Sequence, residues 1–176
     1  MTTRHDGPFY VERRLAWGDC DPAGFIYTPR VLDQAYQALG EWYRDWLGQS
    51  WWDTLRETGL GSPTVHAECM YLSPVLPDQR LRLEVRVIEI GNSSLIFRID
   101  GIGEEGASFT VIITSCLMRM DSRTPERIPE RTRSVIEAYI AAHPATRPTP
   151  RTPADTPRDK GLPREHPCGS YGIESA

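Results

Sequence analysis

Between residues 28 and 47 the sequence TPRVLDQAYQALGEWYRDWL carries apolar side chains at spacings of three and four. Val31, Leu32, Ala35, Ala38, Leu39, Trp42, Trp46 and Leu47 make one stripe, while Arg30, Asp33, Gln34, Gln37, Glu41, Arg44 and Asp45 fill the remaining faces. That period predicts an amphipathic helix. At about 1.5 Å per residue it spans roughly 28 Å, the width of a small domain. A helix this long and this apolar on one side needs a surface to lie on, and the rest of the chain must supply it.

Ahead of the helix the chain is built to bend. Residues 8–17, PFYVERRLAW, predict a strand with Phe9, Val11 and Leu15 on one side and Glu12 and Arg14 on the other. Asp19 and Asp21 follow, and Asp21 is succeeded by the turn formers Pro22-Ala23-Gly24. Thr28-Pro29 then opens the helix, with Thr28 placed as N-cap and Pro29 at the first helical position, where its missing N–H costs nothing. A helix start presents unpaired backbone N–H groups and partial positive charge. A carboxylate beside such donors suits hydrolysis, because the donors stabilise the oxyanion that forms when a carbonyl is attacked.

The run Gly18-Asp19-Cys20-Asp21-Pro22-Ala23-Gly24-Phe25-Ile26-Tyr27, followed by Pro29 and a helix, resembles the signature of the 4-hydroxybenzoyl-CoA thioesterase family of hotdog-fold thioesterases. The likeness in strand and helix order covers residues 8–142. The resemblance implies an α+β hotdog fold, an antiparallel β-sheet wrapped around one long central α-helix. It implies an acyl-CoA thioesterase with a catalytic aspartate at Asp21. The oxyanion donor it implies is the amide of Thr28 or of its neighbour Tyr27, whose ring stands at a position that either touches substrate or packs. It further implies a homodimer or homotetramer with pockets between protomers, and no metal or redox cofactor. One departure stands out. Some members place a basic run at the turn assigned here to Gly91-Asn92-Ser93-Ser94, where it meets coenzyme A phosphates, and in this chain that turn is uncharged. Arg119, Arg123, Arg127, Arg131 and Arg133 are an alternative basic group.

From residue 64 the apolar period changes to two. Residues 65–72 predict a strand, and RLRLEVRVIEI at 80–90 alternates most clearly, with Leu81, Leu83, Val85 and Val87 opposite Arg80, Arg82, Glu84 and Arg86. Turns at Gly91-Asn92-Ser93 and Gly103–Gly106 bracket a strand over 95–99, and residues 109–120 predict a long final strand. Short turns between strands mean antiparallel pairing. A last helix is expected from about Pro129 to Ala142. The order read without the motif is one amphipathic helix and an antiparallel sheet, an α+β domain over 1–143. Residues 144–176 are rich in Pro, Arg, Thr and Asp and poor in apolar side chains, so they are expected to be a disordered tail.

For the chemistry, Asp21 is read as general base on water or as nucleophile forming an acyl-enzyme anhydride, and the residues do not choose. Asp19 is read as mainly structural, its side chain diverging from Asp21 across Cys20. His66 reads as a packing histidine in a strand, and Ser62, Ser93 and Ser94 sit in no GxSxG pattern. Trp51-Trp52 either line an acyl pocket or pack. Cys20, Cys69, Cys116 and Cys168 are too widely spaced for a CxxC metal or redox motif. A net charge of −4 argues against a nucleic-acid partner. With no run of about 18 apolar residues, no membrane partner is expected and the protein is expected to be cytoplasmic. Two rivals to acyl-CoA hydrolysis remain: hydrolysis of an acyl carrier protein thioester, and a non-catalytic acyl-CoA-binding module, for which the tail is the only spare output segment.

Overall fold

The structure, a computed structural model, describes residues 7–149. Its elements run β1 (Tyr10–Arg14), α1 (Thr28–Leu47), α2 (Trp51–Thr58), β2 (Leu60–Gly61), β3 (Thr64–Tyr71), β4 (Arg80–Ile90), β5 (Ser94–Gly103), β6 (Gly106–Cys116), β7 (Met118–Arg119), β8 (Thr124–Pro125) and α3 (Glu130–Ala142). Five strands form one antiparallel sheet in the order β1-β4-β5-β6-β3. The two-residue strands pair separately as β2-β7-β8.

The inner face of the large sheet receives α1. Val31, Ala35, Ala38, Leu39 and Trp42 of the helix share one buried cluster with Leu83, Val85, Val87, Phe97, Ile99, Val111 and Ile113 of the strands. Trp42 is fully buried, with its ring edge-on to Tyr43, Phe97 and Tyr139 at centroid distances of 5.1, 5.3 and 5.4 Å. α3 closes one end: the Tyr139 hydroxyl donates to the Val85 carbonyl and accepts from the Phe9 amide at 3.0 Å. Gly101 lies under the ring of Phe109, where a Cβ would stand 2.3 Å from the nearest ring carbon.

The outer face is ionic. Glu84 and Asp100 point away from α1 and yet are buried, because arginines cover them. Arg82 and Arg86 meet Glu84 at 2.8 and 2.5 Å. Arg86 and Arg98 meet Asp100 at 3.1 and 2.9 Å, and the Thr110 hydroxyl donates to it at 2.7 Å. A buried carboxylate is tolerated when it is paired and its lone pairs are occupied.

Several expectations shift. The helix N-cap is Tyr27, with extended φ −62° and ψ 126°, so Thr28 is the first helical residue and Pro29 the second. The strand expected over 8–17 ends at Arg14 and gives way to a 3-10 turn at Trp17–Asp19. The strand expected over 109–120 breaks at Leu117, whose amide turns to the Ser93 carbonyl at 2.6 Å, and only then resumes as β7. Residues 144–149 carry no regular secondary structure, and Arg98 donates to the Thr146 carbonyl at 3.0 Å. The remainder of the expected disordered tail, with Cys168, lies outside the described residues.

Candidate active site

The acidic turn before α1 is closed by a ladder of backbone hydrogen bonds. Cys20 and Ile26 form an antiparallel bridge, the Asp21 amide donates to the Phe25 carbonyl at 2.9 Å, and the Gly24 amide donates to the Asp21 carbonyl at 2.9 Å. Gly24 takes φ +82°, a conformation that costs a glycine nothing and a side chain a good deal. Ile26 donates to the Val75 carbonyl at 2.9 Å, tying the turn to the segment that leads into β4.

The two aspartates diverge. Asp19 turns back, one carboxylate oxygen accepting from the Ala16 amide at 3.0 Å and the other standing 3.7 Å from Arg30 Nε. Asp21 turns forward: Oδ1 accepts from the Ala23 amide at 2.8 Å, and Oδ2 makes no hydrogen bond among the described residues. One oxygen is held by the turn and the other is free of hydrogen bonds among the described residues. Between them, burial and then the negative charges of Asp19 and Asp21 push the Cys20 thiol up, so it stays protonated and is a poor nucleophile. Cys20, Cys69 and Cys116 are free thiols.

At the helix start the amides are unequal. The Tyr27 amide is spent on the Asp19 carbonyl at 2.8 Å, whereas the Thr28 amide donates to nothing among the described residues. Pro29 has no N–H, and the Arg30 amide closes the first turn on the Tyr27 carbonyl at 2.7 Å. The first turn of α1 therefore offers one backbone donor beyond the acidic loop, that of Thr28. Tyr71, at the end of β3, donates to the Thr28 carbonyl at 3.3 Å, and the Tyr27 ring is half exposed beside it in sequence.

A cavity of about 320 Å³ lies farther along α1, walled by Tyr36 and Leu39 of that helix, Trp51 and Leu55 of α2, Ile113 of β6, and Met120. Ser62, Thr64 and Ser115 also border it. Of the tandem tryptophans, Trp51 lines the cavity and packs against Tyr43, with centroids 3.8 Å apart and the rings tilted by 42°, whereas Trp52 is exposed. Tyr36 donates to the Thr64 hydroxyl at 2.9 Å across the rim. Neither Asp21 nor Thr28 borders this cavity. Ser115 and Tyr43 carry no signal in the sequence, since a single hydroxyl within an apolar pattern looks like core.

The other candidates separate. His66 is half exposed on β3, 3.9 Å from Glu68 and apart from the acidic turn. Arg119 is drawn to Glu126 and the Thr58 carbonyl, Arg127 to Glu130, and Arg133 to Glu137 and the carbonyls of Gly91 and Asn92. Arg123 and Arg131 make no ion pair among the described residues, so two of the five expected phosphate contacts are uncommitted. No described helix is long and apolar enough to cross a membrane.

A family model for a thioesterase-like superfamily matches residues 15–136. The solved structure of a thioesterase superfamily protein from Jannaschia sp. CCS1 is 29% identical, covers 82% of this chain and 99% of its own, and has a TM-score of 0.72. A 1,4-dihydroxy-2-naphthoyl-CoA thioesterase from Synechocystis is 18% identical over 74% of this chain and 96% of its own, with a TM-score of 0.68. A Staphylococcus aureus protein in complex with CoA is 12% identical over 85% of this chain and 94% of its own, with a TM-score of 0.74. At these last two identities the likeness speaks for the fold alone. A comparison with curated protein sequences finds no match.

Proposed function

The chain belongs to the thioesterase-like superfamily and has its hotdog fold, and from that membership we propose that it is an acyl-CoA thioesterase using Asp21 and the Thr28 amide. The reaction is hydrolysis of a thioester, R–CO–S–CoA, with water to a free acid and coenzyme A thiol. The observation that carries this reading is the division of labour in the acidic turn. The Asp21, Ala23, Gly24 and Tyr27 amides are occupied within the turn and the Ile26 amide by Val75, whereas the Thr28 amide, at the positive end of α1, has no acceptor among the described residues.

In this reading the thioester carbonyl oxygen rests on the Thr28 N–H. The free Oδ2 of Asp21 either attacks the carbonyl carbon, giving an anhydride that water then opens, or removes a proton from the attacking water. As the carbonyl becomes tetrahedral its oxygen gains negative charge, and the amide hydrogen bond strengthens, which lowers the barrier. The thiolate leaves and is protonated by solvent. Coenzyme A is favoured over a carrier protein because the Synechocystis relative is a CoA thioesterase and the Staphylococcus relative holds CoA. Arg123 and Arg131 are the basic side chains available to its phosphates.

By the same resemblance the site is shared in a homodimer or homotetramer. β3 is an edge strand with Val65 61% exposed, the kind of edge that a second chain can cover. Antiparallel pairing of β3 with its own copy brings the Tyr71 and Thr28 end of one chain against the Thr64 end of the other, where the rim of the cavity lies. The test is thiol release from a panel of aroyl and aliphatic CoA esters, with wild type and Asp21→Asn run side by side and folding checked. Turnover by wild type with a loss of about a hundredfold or more in the variant is expected. Equal activity would refute the assignment of Asp21, and inactivity on every ester would refute the acyl-CoA thioesterase reading.

A further inference from the structure

The two groups of the candidate site stand on separate pieces of chain. Asp21 sits in the acidic turn and the Thr28 amide at the first residue of α1, with Pro22 to Tyr27 between them. A carboxylate and an oxyanion donor act together only if their separation is held, since a displacement of about 1 Å can lower a rate about a hundredfold. One stretch, from the last residue of β3 to Val75, ties both. The Val75 carbonyl accepts from the Ile26 amide at 2.9 Å and fixes the acidic turn. The Tyr71 hydroxyl donates to the Thr28 carbonyl at 3.3 Å and fixes the helix start.

That stretch is itself anchored to the sheet. Tyr71 stands opposite Phe109 of β6, which is fully buried. The Leu72 and Ser73 amides both donate to the Ser108 carbonyl, at 2.8 and 3.1 Å, and Val75 is buried. The phenol is suited to its task. Tyr71 is half exposed, yet partial burial, above all, pushes its hydroxyl up to about 12, so it stays a donor at neutral pH. The Cys69 thiol and the Thr28 hydroxyl neighbour it. The Thr28 N–H is thereby gripped from both sides: the Tyr27 amide before it donates to the Asp19 carbonyl at 2.8 Å, and the carbonyl after it receives Tyr71.

We propose that Tyr71 is a positioning residue for the hydrolysis: its hydroxyl holds the Thr28 amide in register with Asp21, acting through the backbone rather than on substrate. The inference rests on the acyl-CoA thioesterase reading and adds to it a residue outside the acidic turn and α1. Its signature is a loss confined to turnover. The oxyanion bond strengthens as the carbonyl becomes tetrahedral, so a misaimed amide lowers kcat and kcat/KM alike and leaves KM alone.

The experiment is a double-mutant cycle of Tyr71→Phe, Thr28→Pro and the pair, on the CoA ester, aroyl or aliphatic, that wild type hydrolyses fastest. Tyr71→Phe alone is expected to lower kcat by about three- to tenfold, the span of one net hydrogen bond. KM stays within about twofold and Tm within about 3 °C. Where the Thr28 amide is already deleted, adding Tyr71→Phe changes nothing further, because its target is gone. Additive losses, an unchanged kcat in Tyr71→Phe, or a fall in Tm with a rise in KM overturns the proposal and leaves the thioesterase reading intact. A second measurement needs no proline variant. The same ester, isotope-labelled at its carbonyl, is bound to Asp21→Asn and its carbonyl stretch is read by difference infrared spectroscopy. The Thr28 donor lowers that frequency, and adding Tyr71→Phe returns it toward the solution value; a band that does not move overturns the proposal. If wild type hydrolyses no CoA ester, the thioesterase reading itself has failed and the proposal falls with it.

Discussion

Replacing Thr28 by proline removes one atom group of interest, the backbone N–H, at a position prepared for it. Thr28 is the first helical residue, where proline is well tolerated, and Tyr27 before it already has the extended backbone that a residue preceding proline prefers. The amide to be deleted donates to nothing among the described residues, so no internal hydrogen bond is broken, and the Thr28 carbonyl that receives Tyr71 is retained. Stability should therefore change little, with Tm within about 3 °C of wild type. That corresponds to less than about 1 kcal/mol in a domain of this size. Activity should not survive. A single oxyanion donor contributes about 3–4 kcal/mol at the transition state, and each 1.36 kcal/mol is about a tenfold change in rate, so kcat should fall by roughly 10² to 10³. Thr28→Ala is the companion variant: it keeps the amide, loses the side chain, and should stay within about threefold of wild type, as a surface change does. The assay is steady-state thiol release with the best ester found, beside thermal unfolding of all three proteins. A proline variant with native Tm and more than about a tenth of wild-type kcat would refute the oxyanion assignment, whatever Asp21 does.

Gly101→Ala would put a Cβ 2.3 Å from the Phe109 ring. The ring is locked in the core, so the overpacking should cost about 1–3 kcal/mol, read as a lower urea midpoint with unchanged m-value. A second expectation concerns alkali. Burial, above all, pushes the Tyr139 hydroxyl up to about 12 from an ordinary value near 10. The folded chain thus holds a proton that the unfolded chain releases first. The stabilisation is complete below about pH 10 and is lost as the pH rises through about 12, by about 2–3 kcal/mol. Urea unfolding at pH 9 and 11.5 should show that decline, and Tyr139→Phe should lessen it, the raised hydroxyls of Tyr43 and Tyr71 supplying the rest; a wild-type curve level across this range would contradict the burial argument.

Most of the frame was legible because it is written in local periods. The stripe from Val31 to Leu47 and the alternation from Leu81 to Val87 each record which face is buried, and the structure buries those faces. The acidic turn was legible from Asp21-Pro22-Ala23-Gly24, whose residue types demand a bend. What was not legible depends on partners distant in sequence. Glu84 alternates with Leu83 and Val85 and so reads as solvent-facing; that it is buried depends on Arg82, Arg86 and the neighbouring strand's Asp100 cluster closing over it. The β2-β7-β8 ribbon rests on two-residue pairings with no local signature. Thr28 looked like a cap because of its residue type, but the Asp19 carbonyl satisfies the Tyr27 amide and sets the cap one residue earlier.

The ionic outer face of the sheet also acts as a proofreader. Side chains on a strand alternate, so sliding β4 or β5 by one residue would turn Glu84 or Asp100 inward against α1. Arg82 and Arg86, or Arg98, lie on the same face of the same strand and would turn inward with it, and a set of charges buried among Val31, Ala35 and Trp42 would be prohibitive. Mispaired sheets are thereby rejected by charge before packing has to tell one aliphatic side chain from another. The same alignment puts Ser115 opposite Thr64 and sends its hydroxyl toward the cavity while Thr114 pairs with His66. An error of one step in this strand would replace that hydroxyl with a neighbour facing the other way. The ion pairs on the outside of the sheet therefore vouch for the position of groups on the inside that they never touch.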